Sequence, residues 1–97
     1  MSEDAGVKAA RYIGMVESAL AELKLMELPA TVRGEELKHI IDAAGRYTAD
    51  ARYYLDAGRR ASSLASASYA EGLLDAVRML GLVNFKWPNG RMPRMEG

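Results

Sequence analysis

One glycine, Gly58, divides the helix-forming run from Tyr47 to Leu80 into two halves. Tyr47-Thr-Ala-Asp-Ala-Arg-Tyr-Tyr-Leu-Asp-Ala precedes it. Arg59-Arg60 and the small-residue series Ala61-Ser-Ser-Leu-Ala-Ser-Ala-Ser-Tyr-Ala-Glu-Gly follow it, leading into Leu73-Leu-Asp-Ala-Val-Arg-Met-Leu80. Glycine adopts the left-handed conformation that closes a helix, so this stretch predicts a tight antiparallel helix pair. The rest of the chain must pack against that hairpin.

Upstream, Ala9, Ile13, Val16, Leu20 and Leu23 step by four, three, four and three, with Arg11, Ser18 and Glu22 on the other side. That is the pattern of an amphipathic helix. Ser2 is its expected N-cap, Glu3 and Asp4 suit the positive end of its dipole, and Pro29 is its expected stop. After a linker from about Leu28 to Val32, with Thr31 as a candidate cap, a second stripe runs through Leu37, Ile41, Ala44, Thr48, Ala51 and Leu55. Gly45 interrupts it at a cost of about 1 kcal/mol unless close packing compensates. In the third segment Tyr69, Leu73, Ala76 and Leu80 read as the apolar line, and Glu71, Asp75 and Arg78 as a polar stripe. Gly81 ends that segment.

Helices over about 3–27, 33–57 and 60–80, joined by short connections, give an all-α, up-down-up antiparallel three-helix bundle as residues 1–82. Residues 83–97 are expected as an extended or partly disordered tail, in which Val83, Phe85 and Trp87 alternate with Asn84 and Lys86 before the turn signal Pro88-Asn89-Gly90. Phe85 and Trp87 either fold back to close the open end of the bundle or, with Met92 and Met95, dock on another subunit or partner. The tetratricopeptide consensus is not met.

The residues Tyr47-x-x-Asp50-Ala51, Tyr54-Leu55 with Gly58, Ser68-Tyr69-Ala70-x-Gly72-Leu73-Leu74-Asp75-Ala76 and Leu80-Gly81-Leu82 resemble a small archaeal family known as domain of unknown function 357. The resemblance implies a short, stand-alone, all-helical archaeal protein and no particular activity. At the turn after Gly58 the family usually continues with an acidic residue, where this chain has Arg59-Arg60.

Composition narrows the function classes. There is no cysteine, hence no disulfide framework and no thiolate metal site, and His39 is the lone histidine. No cofactor and no metal are expected. The acidic start Ser2-Glu3-Asp4 is unlike a signal peptide, and a cytoplasmic location is the expectation. No apolar run approaches the roughly 20 residues of a membrane span. Thirteen basic residues balance thirteen acidic ones, and in an up-down-up bundle Arg59-Arg60 falls near Glu3 and Asp4 while the basic tail falls near Glu27, Glu35 and Glu36. That placement argues against a continuous phosphate-binding stripe and against nucleic acid as a partner.

Three constellations remain. Glu36-x-x-His39 has the spacing of half a di-iron carboxylate site, but a full site needs further ligands, and an exposed first-turn pair accounts for it. Arg33-x5-His39 matches the arginine-to-histidine spacing of a class of helical-bundle ribonucleases. With the basic tail it defines an alternative reading, an RNA-binding or RNA-cleaving protein. Tyr47, Asp50 and Tyr54 share a flank of the second helix, with Asp75 at the edge of the third, as a binding pocket or as a structural network of hydroxyls around a carboxylate. The reading as a whole is a non-enzymatic protein-interaction or scaffold module, engaging another protein or a second copy of itself. No small-molecule substrate is identified. Tyr47, Asp50, Tyr54, Tyr69, Asp75, Phe85 and Trp87 are its candidate binding residues. It requires an uncovered apolar patch of several hundred Å².

Overall fold

A computed structural model describes residues 4–88. It is a three-helix bundle of α1 (Ala5–Glu22), α2 (Gly34–Asp56) and α3 (Arg60–Met79), with two-residue strands β1 (Lys24–Leu25) and β2 (Val83–Asn84) at one end. Expectations resting on Ser2, Glu3, Arg91, Met92, Arg94 and Met95 fall outside the described residues.

Asp4 caps α1, its carboxylate accepting from the amides of Gly6 at 2.7 Å and Val7 at 3.2 Å. Ala9, Ile13 and Val16 of the expected stripe are buried, while Leu20 and Leu23 are half-buried and Ala19 takes the next inward position. The helix ends at Glu22, well short of Pro29, because a long-range pairing draws the chain out of it. β1 and β2 run antiparallel with Lys24 opposite Asn84 and Leu25 opposite Val83, and the Met26 amide donates to the Leu82 carbonyl at 3.0 Å. Pro29 instead belongs to the connecting turn, its carbonyl accepting from Val32.

Helix α2 begins after Arg33, which is extended and offers no side-chain cap. Thr31 does not serve as one, and Glu35 and Glu36 supply the first-turn negative charge. Both glycine stops are as expected, Gly58 at φ +80° and Gly81 at φ +78°. Each forms a Schellman motif: Arg59 N–H donates to Tyr54 and Gly58 N–H to Leu55, then Leu82 N–H to Val77 and Gly81 N–H to Arg78. Buried Val77 and Leu82 are the apolar pair that usually accompanies the motif. At the first turn the Arg59 guanidinium over the Tyr54 ring, 4.9 Å from its centroid, occupies that place.

The phase of α3 differs from expectation. Ser63, Ala67, Ala70, Leu74 and Val77 point inward, while Leu73 is half-buried and Tyr69, Ala76 and Leu80 are exposed. α3 carries two apolar lines, and the small one wins because it allows close approach to α2. The Ser63 hydroxyl donates to the Ala51 carbonyl at 2.7 Å, so one serine side chain spans the gap between the two backbones. α1 is tied to α2 at the surface by Arg52, whose Nε and Nη2 meet the Glu17 carboxylate at 3.0 and 2.8 Å. The hydrogen bond and charge of Glu17 raise the Arg52 pKa above its usual value.

Glu71, Asp75 and Arg78 do share a face, but it is not a solvated stripe. The segment after β2 folds back across it: Arg78 Nε donates to the Phe85 carbonyl at 3.1 Å and Trp87 Nε1 to Asp75 Oδ1 at 2.8 Å. Glu71, one turn further along α3, is 1% exposed. Phe85 and Trp87 meet edge-to-face at 4.9 Å and belong to the buried core together with Val83. Of the two roles open to them, they take the closing one.

Candidate functional site

Arg33, Glu36 and His39 are all exposed at the start of α2, around an open depression that Glu35, Lys38 and Asp42 also line. Arg33 lies 3.9 Å from Glu36 across an exposed helical turn. Among the described residues no group of three or more histidine, aspartate or glutamate side chains is placed to hold a metal. A second depression beside the strands is lined by Glu22, Lys24, Asn84, Phe85 and Lys86, where the Lys86 amide donates to Glu22 at 3.1 Å. Among the described residues no helix is long and apolar enough to cross a membrane.

The structure separates the suspected tyrosine–carboxylate cluster. Tyr47 on α2 meets Tyr69 on α3 edge-to-face at 4.6 Å, as the hairpin predicts. Tyr54 packs under Arg59 and beside Tyr53 at 5.7 Å. Asp50 is exposed, and among the described residues no tyrosine hydroxyl donates to it. Asp75 lies six residues after Tyr69, roughly 120° round α3, where it receives Trp87 instead. Phe85 and Trp87 offer no surface to a partner, being within the core.

What the fold assembles is an apolar face. Helix α3 shows solvent Ala61, Ala65, Tyr69 (54% exposed), Gly72, Ala76, Met79 (59%) and Leu80 (72%), with Tyr47 of α2 alongside. Between Arg60 and Arg78 the charged residues of α3 are Glu71, which is buried, and Asp75, which is half-buried and receives Trp87. The outward face is therefore free of formal charge for most of the helix. Ordinary surface helices instead place their charged residues on the side away from the core. Tyr69, Ala76 and Leu80 were legible as an apolar line, though assigned to the core. Ala65, Gly72 and Met79 were missed as functional candidates. The usable signal was that α3 has one more apolar line than a three-helix core consumes.

No curated protein and no solved structure matches the chain. A family does, over residues 11–83, a span from inside α1 to the first residue of β2 that holds all of the exposed face and stops before Phe85 and Trp87. With more than half of its 97 residues matched, the chain belongs to the family described as Protein of unknown function, DUF357.

Proposed function

We propose that this protein is a non-enzymatic interaction module that works through the outer α2/α3 face. The observation that carries the reading is the uncharged exposed line Tyr69, Ala76, Met79 and Leu80, flanked by Tyr47. Contiguous apolar surface of this kind costs solubility in an isolated domain and marks protein contacts when it persists. Tyrosine and methionine suit such contacts, combining large apolar area with adaptable packing.

A photo-crosslinking residue at position 69 tests this reading in cell extract, with the same residue at exposed Ser18 on α1 as control. Position 69 should give a discrete protein adduct that disappears when Ala76→Glu is added. Equal, diffuse labelling from positions 69 and 18 would refute it.

A further inference from the structure

We propose that the occupant of this face is a second copy of the same chain, with the two α3 helices crossing antiparallel. The inference rests on the interaction reading and adds to it the identity and register of the partner.

The argument is one of size. The exposed residues on the outward side of α3 are Ala61, Ala65, Tyr69, Gly72, Ala76 and Met79, followed by the C-cap Leu80. Reversed on itself about a two-fold axis between Ala70 and Glu71, this series sets Leu80 opposite Ala61 and Tyr69 opposite Gly72, while Met79 falls level with half-buried Ser62. Ala65 then faces Ala76. Large residues meet small ones, the self-complementarity that an isologous interface requires. A parallel copy sets Tyr69 on Tyr69 and Gly72 on Gly72, leaving bumps against bumps and gaps against gaps.

The receiving positions have room. A Cβ built on Gly72 meets nothing within 4 Å, so space beside it is free for a partner's ring. Gly72 and Ala76, like Ala61 and Ala65, are four apart and stack on one face, letting backbones approach closely. Between Arg60 and Arg78 no formal charge lies on the outward face of α3 to be desolvated.

Area sets the extent. Twenty residues of α3 span about 30 Å, and α3 alone, about 10 Å wide, would bury about 600 Å² over both copies, too little for a stable pair. Adding the neighbouring flank of α2, with Ala43 and Tyr47, doubles the width and brings the total to about 1,200 Å², the lower end of specific interfaces. A pairing of this extent therefore requires that Tyr47 take part.

Sedimentation equilibrium of the full chain over about 1 to 500 µM reads the outcome. The mass should rise from 10.6 kDa to twice that value, and Ala76→Glu or Gly72→Glu should weaken association at least about tenfold while far-UV dichroism stays helical. Because the protein has no cysteine, register can be read by oxidation. The Ala65→Cys/Ala76→Cys double variant should form a disulfide-linked dimer, while Ala65→Cys alone, which would self-link in a parallel pair, should not. A chain that stays at 10.6 kDa throughout overturns the proposal. So does a dimer indifferent to Ala76→Glu and Gly72→Glu. If the wild type is monomeric yet position 69 still yields an adduct with another protein, the assignment of the occupant fails and the interaction reading stands. No dimer and no adduct removes both.

Discussion

Replacing Trp87 by alanine tests how the open end of the bundle is closed. The indole is 3% exposed, stacks edge-to-face with Phe85 and donates to Asp75 at 2.8 Å. Truncation removes about 170 Å² of buried apolar surface, worth about 4 kcal/mol at 25 cal/mol per Å². Loss of a hydrogen bond to a carboxylate adds about 1.5 kcal/mol. The sum of about 5.5 kcal/mol is an upper bound, because the segment from Val83 to Trp87 can detach once its anchor is gone, and the loss cannot exceed the free energy of docking it. A fall of about 3 to 4 kcal/mol in urea unfolding is the expected result. With a urea slope near 1.5 kcal/mol/M, the midpoint drops by about 2 to 2.7 M. Trp87→Phe keeps most of the packing and loses the donor, so it should cost about 1 to 2 kcal/mol. The double variant Phe85→Ala/Trp87→Ala should cost little more than the worse single change, since both act on one docking event. A loss below about 1 kcal/mol for Trp87→Ala would refute the reasoning.

Gly45 lies mid-helix, and an added Cβ meets nothing within 4 Å, so Gly45→Ala should raise unfolding free energy by about 0.5 to 1 kcal/mol in thermal or urea melts. Gly58→Ala and Gly81→Ala place a side chain at positive φ and should each lower it by about 1 kcal/mol, despite open space at both sites. Arg52→Gln breaks an exposed ion pair with Glu17, so a loss of no more than about 1 kcal/mol is expected, shrinking further at high salt in parallel melts.

What the sequence made legible follows the range of the interactions involved. The α1 and α2 seams and the stops at Gly58 and Gly81 depend on neighbours within a turn or two, and the structure places them as the pattern indicates. The end of α1 depends on Lys24 and Leu25 meeting Asn84 and Val83, and Pro29, the strongest local signal, masked it. The phase of α3 was ambiguous because either of its apolar lines satisfies helical spacing. Close packing of Ala67 and Ala70 decided it, with Ser63 reaching the α2 backbone. The same ambiguity hid the candidate face, since Tyr69, Ala76 and Leu80 looked like core until the inner line proved sufficient. Asp75 was chosen for its place among tyrosines, but its partner Trp87 arrives from beyond the bundle helices. The Tyr47–Tyr69 contact was recoverable, because an antiparallel hairpin turning at Gly58 sets those two positions opposite each other.

The most direct test of self-pairing through the outer face is a dilution series of amide NMR spectra on the unmodified protein. Between about 1 mM and 20 µM, shifts should move at Tyr47, Tyr69, Gly72, Ala76 and Leu80 and stay fixed on the outward side of α1, at Arg11 and Ser18. Spectra that do not change with concentration, or changes centred on α1, would contradict the account.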